Sequence, residues 1–90
     1  MAVDVHIPAM LRAFTSGAGV VAVDGATVES IVADLDERFP GIRERLLDES
    51  GLRRYVNVYV NGRDVRFTDG LATPVTDADN ITILPAVAEI

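Results

Sequence analysis

The stretch YVNVYVNGRDVRF, residues 55–67, decides the fold. Its first half alternates. Val56, Val58 and Val60 share one face, and Tyr55, Asn57 and Tyr59 share the other. That period of two is the mark of a strand with one buried side. Asn61-Gly62 comes next, and both residues tolerate the positive φ of a type I′ turn, so the chain reverses there. Residues 64–67 then read as a short returning strand. The apolar face of this hairpin needs a cover, and the rest of the chain must supply it.

Downstream, residues 71–75 read as irregular, with Pro74 blocking regular pairing. The run DADN at 77–80 is a polar turn. ITIL at 81–84 is a final strand that Pro85 ends, leaving a flexible tail of Pro85, Ala86, Val87, Ala88, Glu89 and Ile90. Upstream lies the one long helical pattern, residues 27–39. Val28, Ile31, Val32, Leu35 and Phe39 form a single stripe on it. Thr27 is its expected N-cap, Glu29 and Arg38 suit the two ends of its dipole, and Pro40-Gly41 stops it. A second, short helix is expected over 42–48, with Ile42, Leu46 and Leu47 inward and Gly51 capping its end. Before these, AVDVHI at 2–7 is a strand with Val3, Val5 and Ile7 on one face and Asp4 and His6 on the other. MLRAFT at 10–15 reads as one helical turn, SGAG at 16–19 as a flexible link, and VVAV at 20–23 as a second strand. The order is β-β-α-short helix-β-β-β. It predicts an α+β fold, a mixed sheet of about five strands with one main helix packed across one face.

The bulk numbers bound what such a chain does. Ninety residues make one domain, here 1–90, with a single core. Half the residues are apolar (49%) and 24% are charged, which is globular rather than disordered. Eight basic residues, all arginine, face 14 acids, for a net charge of −6. An acidic surface repels phosphate backbones and anionic headgroups, so neither nucleic acid nor a membrane is expected as partner. No apolar run approaches the ~20 residues of a membrane span, and the N-terminus shows no secretory pattern. There is no cysteine, which removes disulfides, thiolate metal sites and a cysteine nucleophile and fits the cytoplasm.

Side-chain chemistry is sparse. His6 is the sole histidine and sits on the outward side of its strand, without a second ligand or a nucleophile beside it in sequence. Asp34, Asp36, Glu37 and Glu44 interleave with Arg38, Arg43 and Arg45 as a solvated face with i,i+4 partners. The DADN run lacks the glycine and the distal glutamate of a calcium loop. Gly17-Ala18-Gly19 lacks the third glycine and the long helix of a nucleotide cradle. No metal, no bound cofactor and no catalytic residue is therefore expected. Tyr59, Tyr55 and Leu84 share the outward face with His6, Asn57 and Thr82. Such residues either stabilise the sheet as cross-strand pairs or form a partner-docking patch.

The element order resembles the ubiquitin-like β-grasp fold. YVNVYVNGRDVRF at 55–67, GLATPVTDADNITILPAVA at 70–88 and the opening VDVHIPAMLRAFT together resemble the MoaD/ThiS family of small sulfur carriers, in particular the branch that serves cysteine biosynthesis. The resemblance spans the whole chain. It implies that the last strand lies mid-sheet and that the tail projects from it. It also implies a protein acted on by enzymes rather than an enzyme. An adenylyltransferase/sulfurtransferase of the MoeB/ThiF type uses ATP to activate the C-terminal carboxylate, which becomes a thiocarboxylate. A PLP-dependent cysteine synthase, or another sulfide-accepting enzyme of molybdopterin or thiamin synthesis, takes the sulfide. A zinc protease of the JAMM type acts later in the cysteine branch. One departure stands out. The family ends in Gly-Gly, whereas Glu89 and Ile90 stand in those places and no Gly-Gly occurs in the sequence. Three readings fit: an altered or incomplete tail, a carrier with an altered activating enzyme, or a relative that has lost conjugation and only binds partners.

Overall fold

Val58 and Ile81 explain the architecture, because the strands that carry them must both bury one face under the same helix. The computed structural model describes residues 2–54 and 56–85, the last without its side chain. The strands are β1 (Val3–His6), β2 (Val20–Val23), β5 (Val56–Val60), β6 (Arg63–Asp64) and β7 (Asn80–Pro85), with a separate two-residue pair β3 (Leu47–Asp48) and β4 (Gly51–Leu52). The main sheet has five strands in the order β2-β1-β7-β5-β6. β1 and β7 run parallel, with His6 beside Thr82, and every other neighbouring pair is antiparallel. The expected α+β sheet under one main helix is therefore what forms, and the final strand lies at its centre.

The helix α1 (Val28–Arg38) covers one face of this sheet. Its Val28, Ile31, Val32 and Leu35 are buried in one cluster with Val3, Val5 and Val23 from the first hairpin and with Val56, Val58, Ile81 and Ile83 from the centre. Each such side chain contributes about 1.5–3 kcal/mol relative to an exposed position, before the entropy of ordering it is counted. The start of α1 is tightly specified. Thr27 Oγ1 accepts from the Ser30 backbone N–H at 3.2 Å, and Ser30 Oγ accepts from the N–H groups of Thr27 and Ala26, each at 2.9 Å. This reciprocal cap leaves no room behind it. A Cβ on Gly25 would stand 2.8 Å from both Ser30 Oγ and the Ile31 nitrogen.

Asp36 joins α1 to α2 (Ile42–Leu46): its Oδ1 accepts from the N–H groups of Gly41 and Arg43, each at 3.1 Å, so an acid read as surface charge caps the next helix. The hairpin turn forms at Asn61 and Gly62, with φ of 53° and 86°, as a type I′ turn requires.

Several boundaries differ from the sequence reading. α2 stops at Leu46, because Leu47 and Asp48 extend and pair with Gly51 and Leu52. Gly51 is thus no helix cap. It has φ of 116° and turns the chain between β3 and β4. The returning strand is only Arg63–Asp64. The Asp64 carboxylate accepts from the Arg66 N–H at 2.9 Å and starts a 3-10 turn, Val65–Phe67, which drops Val65 into the core and leaves Phe67 85% exposed. Phe39 ends α1 instead of continuing it, and is half-buried. Pro85 does not stop β7 but is its last residue, paired with Val56. Proline is tolerated at such an end because no further ladder donor is needed there.

The DADN run is a turn, as its sequence suggests. Asp79 accepts from the Thr76 N–H and from the Asn61 amide, each at 2.8 Å, and Asn61 in turn accepts from the Asn80 N–H at 2.9 Å. The hairpin turn is thereby tied to the start of β7.

Two outcomes follow from this packing. Gly25→Ala must push Ser30 or Ile31 aside, so urea denaturation should show a loss of about 1–3 kcal/mol; an unchanged midpoint would mean the cap relaxes freely. The second concerns acid. The Asp24 backbone N–H and then Arg38 hold the Asp34 carboxyl below its ordinary 3.8, and the Thr76 N–H and then Asn61 do the same for Asp79. Both groups favour the ionised form when folded. Their stabilisation is complete above their unfolded values and is lost as pH falls through the lowered folded ones. Between about pH 4 and pH 2 the melting temperature of the Asp34→Asn/Asp79→Asn variant should fall less steeply than that of the parent chain. Parallel curves would contradict this.

Candidate partner-docking site

The strands that bury Val3, Val5, Val58 and Ile81 inward must turn their alternate residues outward, and the main helix covers only the inner side. Pairing register arranges the outer residues in rows. One row runs Val20, His6, Thr82, Tyr59 and Asp64 across all five strands. The next, nearer the end of β7, pairs Leu84 with Asn57. Tyr59 and Leu84, singled out from the sequence, are thus diagonal neighbours on one face, together with His6, Asn57 and Thr82. Tyr59 is half-buried, and Leu84 is 44% exposed. The Tyr59 hydroxyl accepts from the Asn57 amide at 3.4 Å.

Because β7 runs parallel to β1, both strands finish at the same end of the sheet. The chain after His6 turns there through Pro8 and a 3-10 turn, Ala9–Leu11, which leaves Met10 52% exposed. Val20 is 50% exposed beside it. His6, Met10, Arg12, Val20, Ile83 and Leu84 line an open groove of about 660 Å³. Arg12 is placed by its Nε–H, which donates to the Ile7 carbonyl at 3.1 Å. The groove therefore lies beside the end of β7. Large exposed apolar side chains gathered in one place mark an interaction surface more often than scattered ones do.

At the other side of Leu84 the face turns polar. Arg66 Nη1–H donates to Asn57 Oδ1 at 2.6 Å, and Nη2–H donates to the Arg53 carbonyl at 2.7 Å. Met10, Val20 and Arg66 were not identified from the sequence. Alternation alone places Val20 outward, but putting it beside His6 needs the β1–β2 register. Arg66 reaches Asn57 only because the expected strand becomes a 3-10 turn.

Pro85 is placed as the last residue of β7; Ala86, Val87, Ala88, Glu89, Ile90 and Tyr55 lie outside the described residues. Among the described residues, no three of His, Cys, Asp and Glu gather in a metal-binding group, and no helix is long and apolar enough to cross a membrane.

Comparison with known proteins fits this geometry. Residues 5–88 match the ThiS family. The chain is 50% identical over 91 residues to the sulfur carrier protein CysO of Mycobacterium tuberculosis, an alignment covering 98% of each chain. It is 37% identical over 65 residues to the small archaeal modifier protein 3 of Haloferax volcanii, covering 72% of this chain and 71% of that one. Among solved structures, the Amycolatopsis orientalis BexX/CysO complex contains a chain that superposes with a TM-score of 0.94 at 50% identity, covering 99% of this chain and all of that one. With a full-length sequence match and a TM-score of 0.94, the chain belongs to the ThiS family and has the ubiquitin-like β-grasp fold of the CysO proteins.

Proposed function

We propose that this protein is a sulfur carrier of the CysO type, a co-substrate for partner enzymes rather than an enzyme. The observation that carries the reading is half-identity to CysO along the whole chain, joined to a central β7 whose end opens beside an exposed apolar groove. The working group is the C-terminal carboxylate at the end of the segment Pro85, Ala86, Val87, Ala88, Glu89, Ile90. A C-terminal carboxyl ionises near ~3.3–3.7, so at neutral pH its oxygen is free to attack the α-phosphorus of ATP on an activating enzyme of the MoeB/ThiF type. Pyrophosphate leaves and an acyl-adenylate forms. A sulfide donor then displaces AMP and leaves the thiocarboxylate. The carrier contributes no acid or base to these steps. Its own work is to dock, and to hold the tail's root rigid in a sheet while the tail enters the partner's channel.

The sulfide goes to a PLP-dependent cysteine synthase in this reading, with molybdopterin or thiamin synthesis as the other destinations. A JAMM-type zinc protease then frees the product. All of this takes place in the cytoplasm. Tyr59 and Leu84 are the docking contacts.

A second reading is favoured by Glu89 and Ile90, which stand where the family has two glycines. A side-chain-free tail threads a narrow channel and accepts any φ and ψ, whereas isoleucine is stiff at χ1. In this reading the protein docks on the same partners without being activated.

Intact mass after incubation with MgATP, a MoeB/ThiF-type enzyme and a sulfide source separates the two. Replacement of one oxygen by sulfur in both the parent chain and Glu89→Gly/Ile90→Gly is the carrier outcome. Reaction of the glycine form alone assigns the chain to the binding-only reading. In either case Tyr59→Ala and Leu84→Ala should each weaken partner binding by more than ~1 kcal/mol, and equal affinity would remove the patch assignment.

A further inference from the structure

Arg66 carries an inference beyond the carrier reading, though it rests on that reading for the existence of a partner. Its guanidinium is fixed at two points on the outer face, by Asn57 Oδ1 at 2.6 Å and by the Arg53 carbonyl at 2.7 Å. An exposed arginine loses rotamer freedom in adopting one geometry, and here the two acceptors are an amide and a carbonyl, neither of them charged. The positive charge is thus positioned but not neutralised. Among the described residues no carboxylate lies within ion-pair distance of it; the ion pairs there belong to Arg38, with Asp34 and Asp24. Asp64, two residues away, accepts from the Arg66 backbone N–H instead.

The position matters as much as the charge. Register places Asn57 directly beside Leu84, so the held guanidinium flanks the apolar residue at the root of the tail. The Asn57 amide in turn reaches the Tyr59 hydroxyl, at 3.4 Å, so a polar line runs from Arg53 through Arg66 and Asn57 to Tyr59. A planar guanidinium with donors to spare, already oriented, suits a carboxylate in a two-point contact. The chain as a whole carries a net charge of −6 and would repel an acidic protein, so this cation must act locally.

We propose that Arg66, preset by Asn57 and the Arg53 carbonyl, is a docking anchor that receives an aspartate or glutamate side chain of the partner enzyme, while an apolar residue beside that acid covers Leu84. Asn57 is a positioning residue: it contributes by holding the fork in place. The anchor sets the azimuth of the carrier about its tail, a constraint that the apolar groove on the other side of Leu84 does not supply.

The test uses the whole chain and BexX of Amycolatopsis orientalis, which is found in complex with the 50%-identical CysO. Binding is followed by calorimetry for the parent chain and for Arg66→Gln, Arg66→Glu and Asn57→Ala. The expected result is an affinity loss of about tenfold or more for Arg66→Gln, a larger loss for Arg66→Glu, and a smaller one for Asn57→Ala. The difference between Arg66→Gln and the parent should shrink as salt rises from about 0.05 M to about 0.5 M. Melting temperatures should stay together, because Arg66 is exposed. The anchor is overturned if the parent binds and both Arg66 variants bind equally well, which leaves the carrier reading standing. It is also overturned if Gln and Glu lose equally at every salt concentration, since that is packing rather than charge. If the parent chain itself does not bind BexX, the anchor is overturned, while the carrier reading is decided by the intact-mass outcome.

Discussion

Everything in this protein depends on β7 having a partner on each side. On one side it runs parallel to β1, with Val5 beside Ile81, and on the other antiparallel to β5, with Val58 beside Ile83. Both sets of side chains are buried, so β7 is also the middle of the core. Termini usually fray, because a terminal strand on a sheet edge is held from one side only. Here β7 is held from both sides at the centre of the sheet, and its Ile81 and Ile83 are buried in one cluster with the main helix. In the carrier reading proposed above, a partner that grips the sheet thereby finds residue 85 in a fixed place.

The parallel β1–β7 pairing has a second consequence. It sends the end of β1 and the end of β7 to the same edge, so the turn carrying Met10 and the strand β2 carrying Val20 stand beside Leu84. An antiparallel arrangement would have put the N-terminal turn at the opposite end, and the groove would not border the end of β7. Apolar groove on one side of Leu84 and held cation on the other thus both descend from one choice of strand direction, together with the 3-10 turn at Val65–Phe67 that carries Arg66 back over β5.

Much of this was legible in residues alone, and the limits have physical causes. Alternation in Val3-Asp4-Val5-His6 and Val56-Asn57-Val58-Tyr59 assigns inner and outer faces, and the structure keeps both assignments. The helix stripe and its Thr27 cap are local and were readable for that reason. The other half of that cap, Ser30, needs the geometry of a reciprocal contact and was missed. Residues 47–48 and 64–67 went wrong in a shared way: a short segment has too little periodicity to decide, and tertiary contacts decide instead. Leu47 leaves its helix because Leu52 offers a ladder, and the expected strand at Val65 becomes a turn because the Asp64 side chain caps it from behind. For the docking site, Tyr59 and Leu84 followed from alternation, whereas Val20, Met10 and Arg66 depend on register and on a turn that no period announces.

Family membership and the tail bear on different parts of the molecule. The match to the ThiS family spans residues 5–88 and so includes nearly all of the sheet, its cover and the proposed docking face. Glu89 and Ile90 lie beyond it. A core position tolerates change only within the volume and polarity of its neighbours. In the carrier reading proposed above, the last two positions bear on the partner's channel, and the family match does not reach them. A chain can keep half-identity to CysO while the chemistry proposed for its end is retained, redirected or lost. The fold consequently argues strongly for docking and weakly for activation. The docking face, with its groove and its preset arginine, is where sequence, register and charge converge.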